Sequence, residues 1–132
     1  SCRKRPYIAR YGGDEFIIVL PGTEIIGATN VGDRIIKSLV LEKIYGPGEV
    51  YTLSGSMGIV SLNARTIDIS QFPHPLPHLY FQAMVQVLLK KADEMMYASK
   101  KTGNNTFQCG EPLDWYAYSK AMDSYNSIDT SD

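Results

Sequence analysis

Two short apolar stretches flank a glycine pair near the start of the chain: Tyr7-Ile8-Ala9 precedes Gly12-Gly13, and Phe16-Ile17-Ile18-Val19-Leu20 follows it. Residues 6–20 are therefore predicted to form two short strands around a tight turn. The second run is continuous rather than alternating, which predicts a strand covered on both faces. Pro21-Gly22 ends it. Ile25, Ala28, Val31, Ile35 and Leu39 then recur at helical spacing, so a helix is expected to about Leu41, with Thr23 as its cap. Gly27 and Gly32 weaken that helix without forbidding it.

Gly46-Pro47-Gly48 reads as a turn, and residues 51–60 as a β-rich stretch interrupted by Gly55 and Gly58, expected to pair with the first two strands. Residues 61–77 turn polar and end in a proline cluster, the composition of a loop or an insertion. A long helix is predicted from about Leu79 to Lys101, with Met84, Leu88, Ala92, Met95 and Ala98 facing the core and Gly103 as the stop. Asn105 to Cys109 suit a last strand. The tail from Gly110 onward is rich in Ser, Asp and Asn and is expected to be poorly ordered, with Trp115-Tyr116-Ala117-Tyr118 offering a cluster that packs its start on the domain. No internal repeat is visible.

Composition narrows the classes. A chain of 132 residues falls in the range of about 100 to 200 for one domain. With 44% hydrophobic and 20% charged residues and a net charge of -1, it matches an ordinary soluble globular protein and lacks the positive charge for non-specific nucleic-acid binding. No apolar run approaches the roughly 20 residues that span a bilayer, so no membrane contact is expected from this segment. No signal-peptide pattern opens the chain, and a cytoplasmic location is expected. Cys2 and Cys109 have neither metal-ligand nor redox spacing. His74 and His78 lie four apart among prolines, where the helix that would aim both at one metal is forbidden, so a loop is expected there instead of a zinc site.

The stretch with chemical potential is Gly12-Gly13-Asp14-Glu15. A phosphate approaches a backbone closely only where side chains are absent, and two glycines in a turn provide such positions, with N–H groups free to point outward. Asp14 and Glu15 place two hard oxygen ligands beside them, the donors that Mg²⁺ takes when it bridges carboxylates and substrate phosphates. In a straight strand the two carboxylates point to opposite faces, so one site uses both only if the turn bends the chain. The bland alternative is a solvated hairpin, for which Gly-Gly-Asp-Glu is ordinary turn composition.

Longer context bears on that choice. Ala9-Arg10-Tyr11-Gly12-Gly13-Asp14-Glu15-Phe16, continued by Ile17 to Leu20 and Pro21-Gly22-Thr23, resembles the defining stretch of the GGDEF-type diguanylate cyclase family. Thr52-Leu53-Ser54-Gly55-Ser56-Met57-Gly58-Ile59 resembles its Ser-x-Gly strand, residues 88–97 its late helix, and residues 98–105 the turn that closes it. The resemblance runs over roughly residues 3 to 109. It implies an α/β (α+β) fold: a palm-like, ferredoxin-type sheet flanked by helices, as in nucleotidyl cyclases. Residues 1–109 would form the C-terminal portion of a GGDEF domain with an insertion at about 61–78, and 110–132 its tail. The family's first strand, with a metal-binding Asp, and the helices carrying the Asn and Asp that read guanine are expected to precede residue 1.

The implied reaction condenses two GTP into cyclic di-GMP with release of pyrophosphate, using Mg²⁺ or Mn²⁺, with a half-site on each protomer of a homodimer. On that resemblance Gly12 and Gly13 line the GTP phosphates, Asp14 and Glu15 act as metal ligands and catalytic carboxylates, and Lys100 matches the phosphate-binding lysine. Asn104 stands where the family usually has a second phosphate-binding arginine, a charge that a neutral amide does not replace. Asp93 and Glu94 are expected to be structural, in caps or surface pairs. The family's product-inhibition motif Arg-x-x-Asp corresponds to Arg3-Lys4-Arg5-Pro6, where the acid is lost, and Arg34 matches the arginine on the following helix. Weak or absent inhibition by cyclic di-GMP is therefore expected. The chain would be cytoplasmic, including as the cytosolic part of a larger membrane-anchored sensor. Three functional classes stand side by side: an active cyclase, a catalytically silent GGDEF domain that binds GTP or a protein partner and regulates a neighbour, and a structural dimerisation domain.

Overall fold

A computed structural model describes residues 5–63 and 78–113 of the chain. Eight elements follow in order: β1 (Tyr7–Arg10), β2 (Phe16–Val19), α1 (Ile25–Leu41), β3 (Lys43–Gly46), β4 (Glu49–Thr52), β5 (Ser56–Ile59), α2 (His78–Thr102) and β6 (Thr106–Cys109). Helices and strands are mixed, the α+β class that the sequence predicts. Among the described residues the strands lie in three two-stranded sheets, β1-β2, β3-β4 and β5-β6, rather than in one continuous sheet.

The helices converge on β5. Successive side chains of a strand alternate between its faces. Gly58 faces α2 so closely that a Cβ there would overlap the Ala92 carbonyl oxygen and the Met96 amide nitrogen. Met57 and Ile59 face α1, where a Cβ on Gly32 would stand 2.9 Å from Ile59 Cδ1 and 3.0 Å from Met57 Sδ. β5 is thus the strand covered on both faces. Ile36 of α1 and Ile59 are each 8% exposed, and each such burial contributes about 1.5–3 kcal/mol.

That double cover was expected of β2, where it is not found: Ile17 is half-buried, but Phe16 is 65% and Val19 50% exposed. The reason is packing: among the described residues the helices pack on β5 and β6 rather than on β2. β2 bonds β1 in antiparallel register, Arg10 opposite Phe16, and bonds no other strand among the described residues. The expected pairing of residues 51–60 with the first hairpin is likewise replaced. β4 closes a hairpin with β3 around Gly46-Pro47-Gly48, a strand that the sequence reading missed, and β5 runs parallel to β6 with Ser56 opposite Thr106.

Two boundary expectations also change. α1 begins at Ile25 with Glu24 in the cap position and no side-chain cap bond, while the Thr23 hydroxyl turns back to the Pro21 carbonyl at 3.3 Å. His78 is the first residue of α2 rather than a loop residue; His74 and the rest of the proline cluster lie outside the described residues. So do most of the expected insertion, the aromatic cluster at 115–118 and Arg3.

α2 ends at Gly103, whose φ of +136° is open to glycine, and its last turn is clipped to β6 by hydroxyls. Ser99 is fully buried; its Oγ bonds the Thr106 carbonyl at 2.7 Å and the Thr106 hydroxyl at 2.8 Å. Between β2, α1, β5 and α2 lies a cleft of about 2510 Å³, with Ile17, Ala28, Val31, Ile35 and Leu88 among its apolar walls. Among the described residues no helix is long and apolar enough to cross a membrane.

Candidate functional site

The β1-β2 turn is held by its own backbone and by one side chain. The Glu15 carbonyl accepts from the Tyr11 N–H at 2.8 Å and from the Gly12 N–H at 3.3 Å. Arg10, on the last rung of β1, folds over the turn: its Nε donates to the Gly12 carbonyl at 3.3 Å and to the Gly13 carbonyl at 3.2 Å, and its Nη2 to the Gly13 carbonyl at 2.6 Å.

The fold itself has no need of the two glycines. Among the described residues positive φ occurs at Gly22, Gly48, Gly103 and Asn105, and not at Gly12 or Gly13. A Cβ on Gly12 would meet the Glu15 Oε2 at an ordinary 3.6 Å, and one on Gly13 would meet nothing within 4 Å. A turn glycine is normally explained by backbone conformation or crowding. Neither applies here, so the turn's own conformation does not account for the glycine pair, and the space beside Gly13 is open to close approach by a ligand.

Asp14 is exposed and Glu15 half-buried, and both line the cleft, so the turn bends the chain enough to bring both acids to one cavity. Tyr11 joins them there, and Lys100 and Asn104, from the end of α2 and the loop after it, line the same cleft. Gly12 and Gly13 themselves lie outside its lining. Asp93, expected to be structural, also lines the cleft, whereas Glu94 makes a surface pair with Lys91 at 3.9 Å, as expected. Among the described residues the other ion pair is Lys37 with Asp33, so Asp14, Glu15, Asp93 and Lys100 are unpaired. Arg34 is elsewhere, in a shallow groove along α1 beside Ser38 and Glu42.

Two unpaired carboxylates at a cleft suit a hard cation that completes its shell with water and phosphate oxygens, as Mg²⁺ and Mn²⁺ do. Among the described residues no three His, Cys, Asp or Glu side chains cluster to hold a metal by themselves. Among the described residues, Asp14 and Glu15 are the carboxylates of the turn that would contribute to such a shell.

Residues 1–74 match the family model described as diguanylate cyclase, GGDEF domain. The chain belongs to the GGDEF domain family. Diguanylate cyclase A of Treponema denticola is 31% identical over 106 residues, which cover 80% of this chain and 24% of that protein. Diguanylate cyclase DosC of Escherichia coli K12 is also 31% identical over 106 residues, 19% of its length. Response regulator PleD of Caulobacter vibrioides is 25% identical over 97 residues, covering 73% of this chain and 18% of its own. This GGDEF chain thus spans a quarter or less of these curated relatives. No solved structure gives a significant match to it.

Arg10 is the contributor that sequence reading left without a role. Its place one residue before the turn, on the strand's last rung, was the available signal.

Proposed function

We propose that this GGDEF domain takes part in condensing two GTP into cyclic di-GMP with release of pyrophosphate, in a metal-dependent reaction. The observation that carries it is the pair of glycines that the fold does not require, set beside two unpaired carboxylates on a cleft that Lys100 also lines. The unbonded N–H groups of Gly13 and Asp14 donate to phosphate oxygens, and the Lys100 ammonium balances their charge. Asp14 and Glu15 would hold Mg²⁺ or Mn²⁺, which when bound supplies charge neutralisation at the phosphates. The chain's own share is positioning: the turn fixes the phosphates so that a 3′-hydroxyl from a second GTP meets them in line. Two such half-sites make one product, which calls for a homodimer in the cytoplasm.

A second reading, a silent domain that binds GTP or a protein partner and regulates a neighbour, is favoured by one observation. Asn104 brings a neutral amide to the cleft, leaving Lys100 without a second cation from that loop. Incubating the complete protein with GTP and Mg²⁺ separates the two. Cyclic di-GMP from wild type, and its loss in Asp14→Ala and Glu15→Ala, supports the cyclase. GTP binding without product in wild type removes the enzyme reading and leaves the regulatory one.

A further inference from the structure

We infer that Arg10 is a positioning residue that aims the amides of the phosphate turn, an inference resting on the phosphate-binding reading above. In a trans peptide the carbonyl and the following N–H point in opposite directions. The Gly12 and Gly13 carbonyls are both drawn onto the Arg10 guanidinium. Their peptide partners, the N–H groups of Gly13 and Asp14, consequently point away from Arg10, and among the described residues no backbone or side-chain acceptor takes them.

Three features make this more than a turn contact. The two preceding donors, Tyr11 N–H and Gly12 N–H, are consumed by the Glu15 carbonyl, so the free donors are confined to the next two residues. Carbonyl oxygens repel an approaching anion, and the guanidinium draws both away from the open side while masking their partial charge. Finally, two glycines without crowding or positive φ have many backbone states of similar energy, and a planar fork reaching both carbonyls selects one. Arg10 therefore acts on the nucleotide through the backbone.

Lysine keeps the charge but presents one compact ammonium instead of a fork, so Arg10→Lys separates orientation from charge. The experiment uses the complete protein with glycine and aspartate labelled with ¹⁵N, read first without nucleotide and then titrated with GTP. In both Arg10→Lys and Arg10→Ala the Gly13 and Asp14 amide resonances are expected to move before any nucleotide is added. GTP should then bind roughly tenfold more weakly to both variants, with the thermal midpoint near that of wild type because Arg10 is exposed. Wild-type affinity in Arg10→Lys with loss in Arg10→Ala would overturn the inference, since charge alone then suffices and the arginine touches phosphate directly. Unmoved Gly13 and Asp14 resonances overturn it as well. If wild type binds no GTP, the phosphate reading fails, while the nucleotide-free resonances still decide whether Arg10 sets the amides.

Discussion

Asn105 and Gly55 hold each other twice: the Gly55 N–H donates to the Asn105 Oδ1 at 3.1 Å, and the Asn105 N–H donates to the Gly55 carbonyl at 2.9 Å. This clamp lies one step before the parallel β5-β6 ladder, whose first rung is Ser56 opposite Thr106. Asn105 has φ of 60°, a left-handed conformation that asparagine tolerates better than most side chains. Its identity therefore serves backbone and bond together. Asn105→Ala should lose about 1–3 kcal/mol, from the orphaned Gly55 donor and the strained backbone. Asn105→Gly keeps the conformation and should lose less. Denaturant midpoints of the complete protein check the order, and equal losses would show that conformation contributes nothing.

Of the glycines among the described residues, Gly58 is the one where an added Cβ would come closest to its neighbours, the backbone of α2. A methyl there meets backbone atoms of Ala92 and Met96, which unlike a flexible side chain do not swing aside. Gly58→Ala is expected to cost about 3 kcal/mol or more, because α2 must lift from β5. Gly13→Ala, where a methyl meets nothing, is the control. Thermal unfolding that left both equally stable would contradict the packing described for β5.

Local signals in the sequence reached most elements and fewer of their relations. Both helices and the β1-β2 hairpin follow from periodicity and from Gly12-Gly13, and Gly103 ends α2 as composition predicts. The strand Lys43–Gly46 was missed because its four residues carry no apolar run longer than Ile44-Tyr45, and its pairing with β4 is set by the turn at 47–48. Partner choice for β5 was misread because a parallel pairing to β6, some fifty residues on, leaves no mark in local pattern. At the site, Asp14, Glu15, Lys100 and Asn104 were legible from motif resemblance and do share one cleft, whereas Arg34 does not join them. The place of Asp93 in the cleft and the bonds of Arg10 to the turn escaped because they depend on tertiary placement and on backbone carbonyls.

Gly13→Ala also tests function directly. Its backbone lies outside the positive-φ region, so alanine should leave stability unchanged or raise it by about 0.4–1 kcal/mol by narrowing the unfolded chain. Its methyl would occupy the open space beside the turn, where the proposed function places a phosphate. GTP affinity is expected to fall roughly tenfold or more while the thermal midpoint holds. A titration in which Gly13→Ala binds GTP like wild type would return the glycine pair to an ordinary turn.

The proline at position 6 bears on product binding. Arg34 sits in its own groove along α1, and Pro6 offers no carboxylate to accept from a guanine edge. Calorimetric titration with cyclic di-GMP is expected to show weak binding or none. Pro6→Asp supplies the missing acceptor and should strengthen it if Arg34 and the residues before Tyr7 form the family's inhibitory site. Tight capture by wild type would show that the arginines suffice without the acid.

Asn104 tests the proposed phosphate site from the side of α2. It is exposed and lines the cleft with Lys100, and the family resemblance gives its position to a second phosphate-binding cation. A charge-assisted bond at an exposed site is worth less than a buried one, since water and salt screen it. Asn104→Arg is accordingly expected to raise GTP affinity by roughly three- to tenfold. The same variant separates the two functional readings. If the domain is a weak cyclase limited by phosphate binding, Asn104→Arg raises the rate of cyclic di-GMP formation at low GTP and leaves the saturated rate nearly unchanged. If the domain is silent because its carboxylate set is incomplete, affinity rises and no product forms. An arginine that changes neither quantity would mean that the end of α2 does not meet the nucleotide, and Lys100 would lose its assigned role with it.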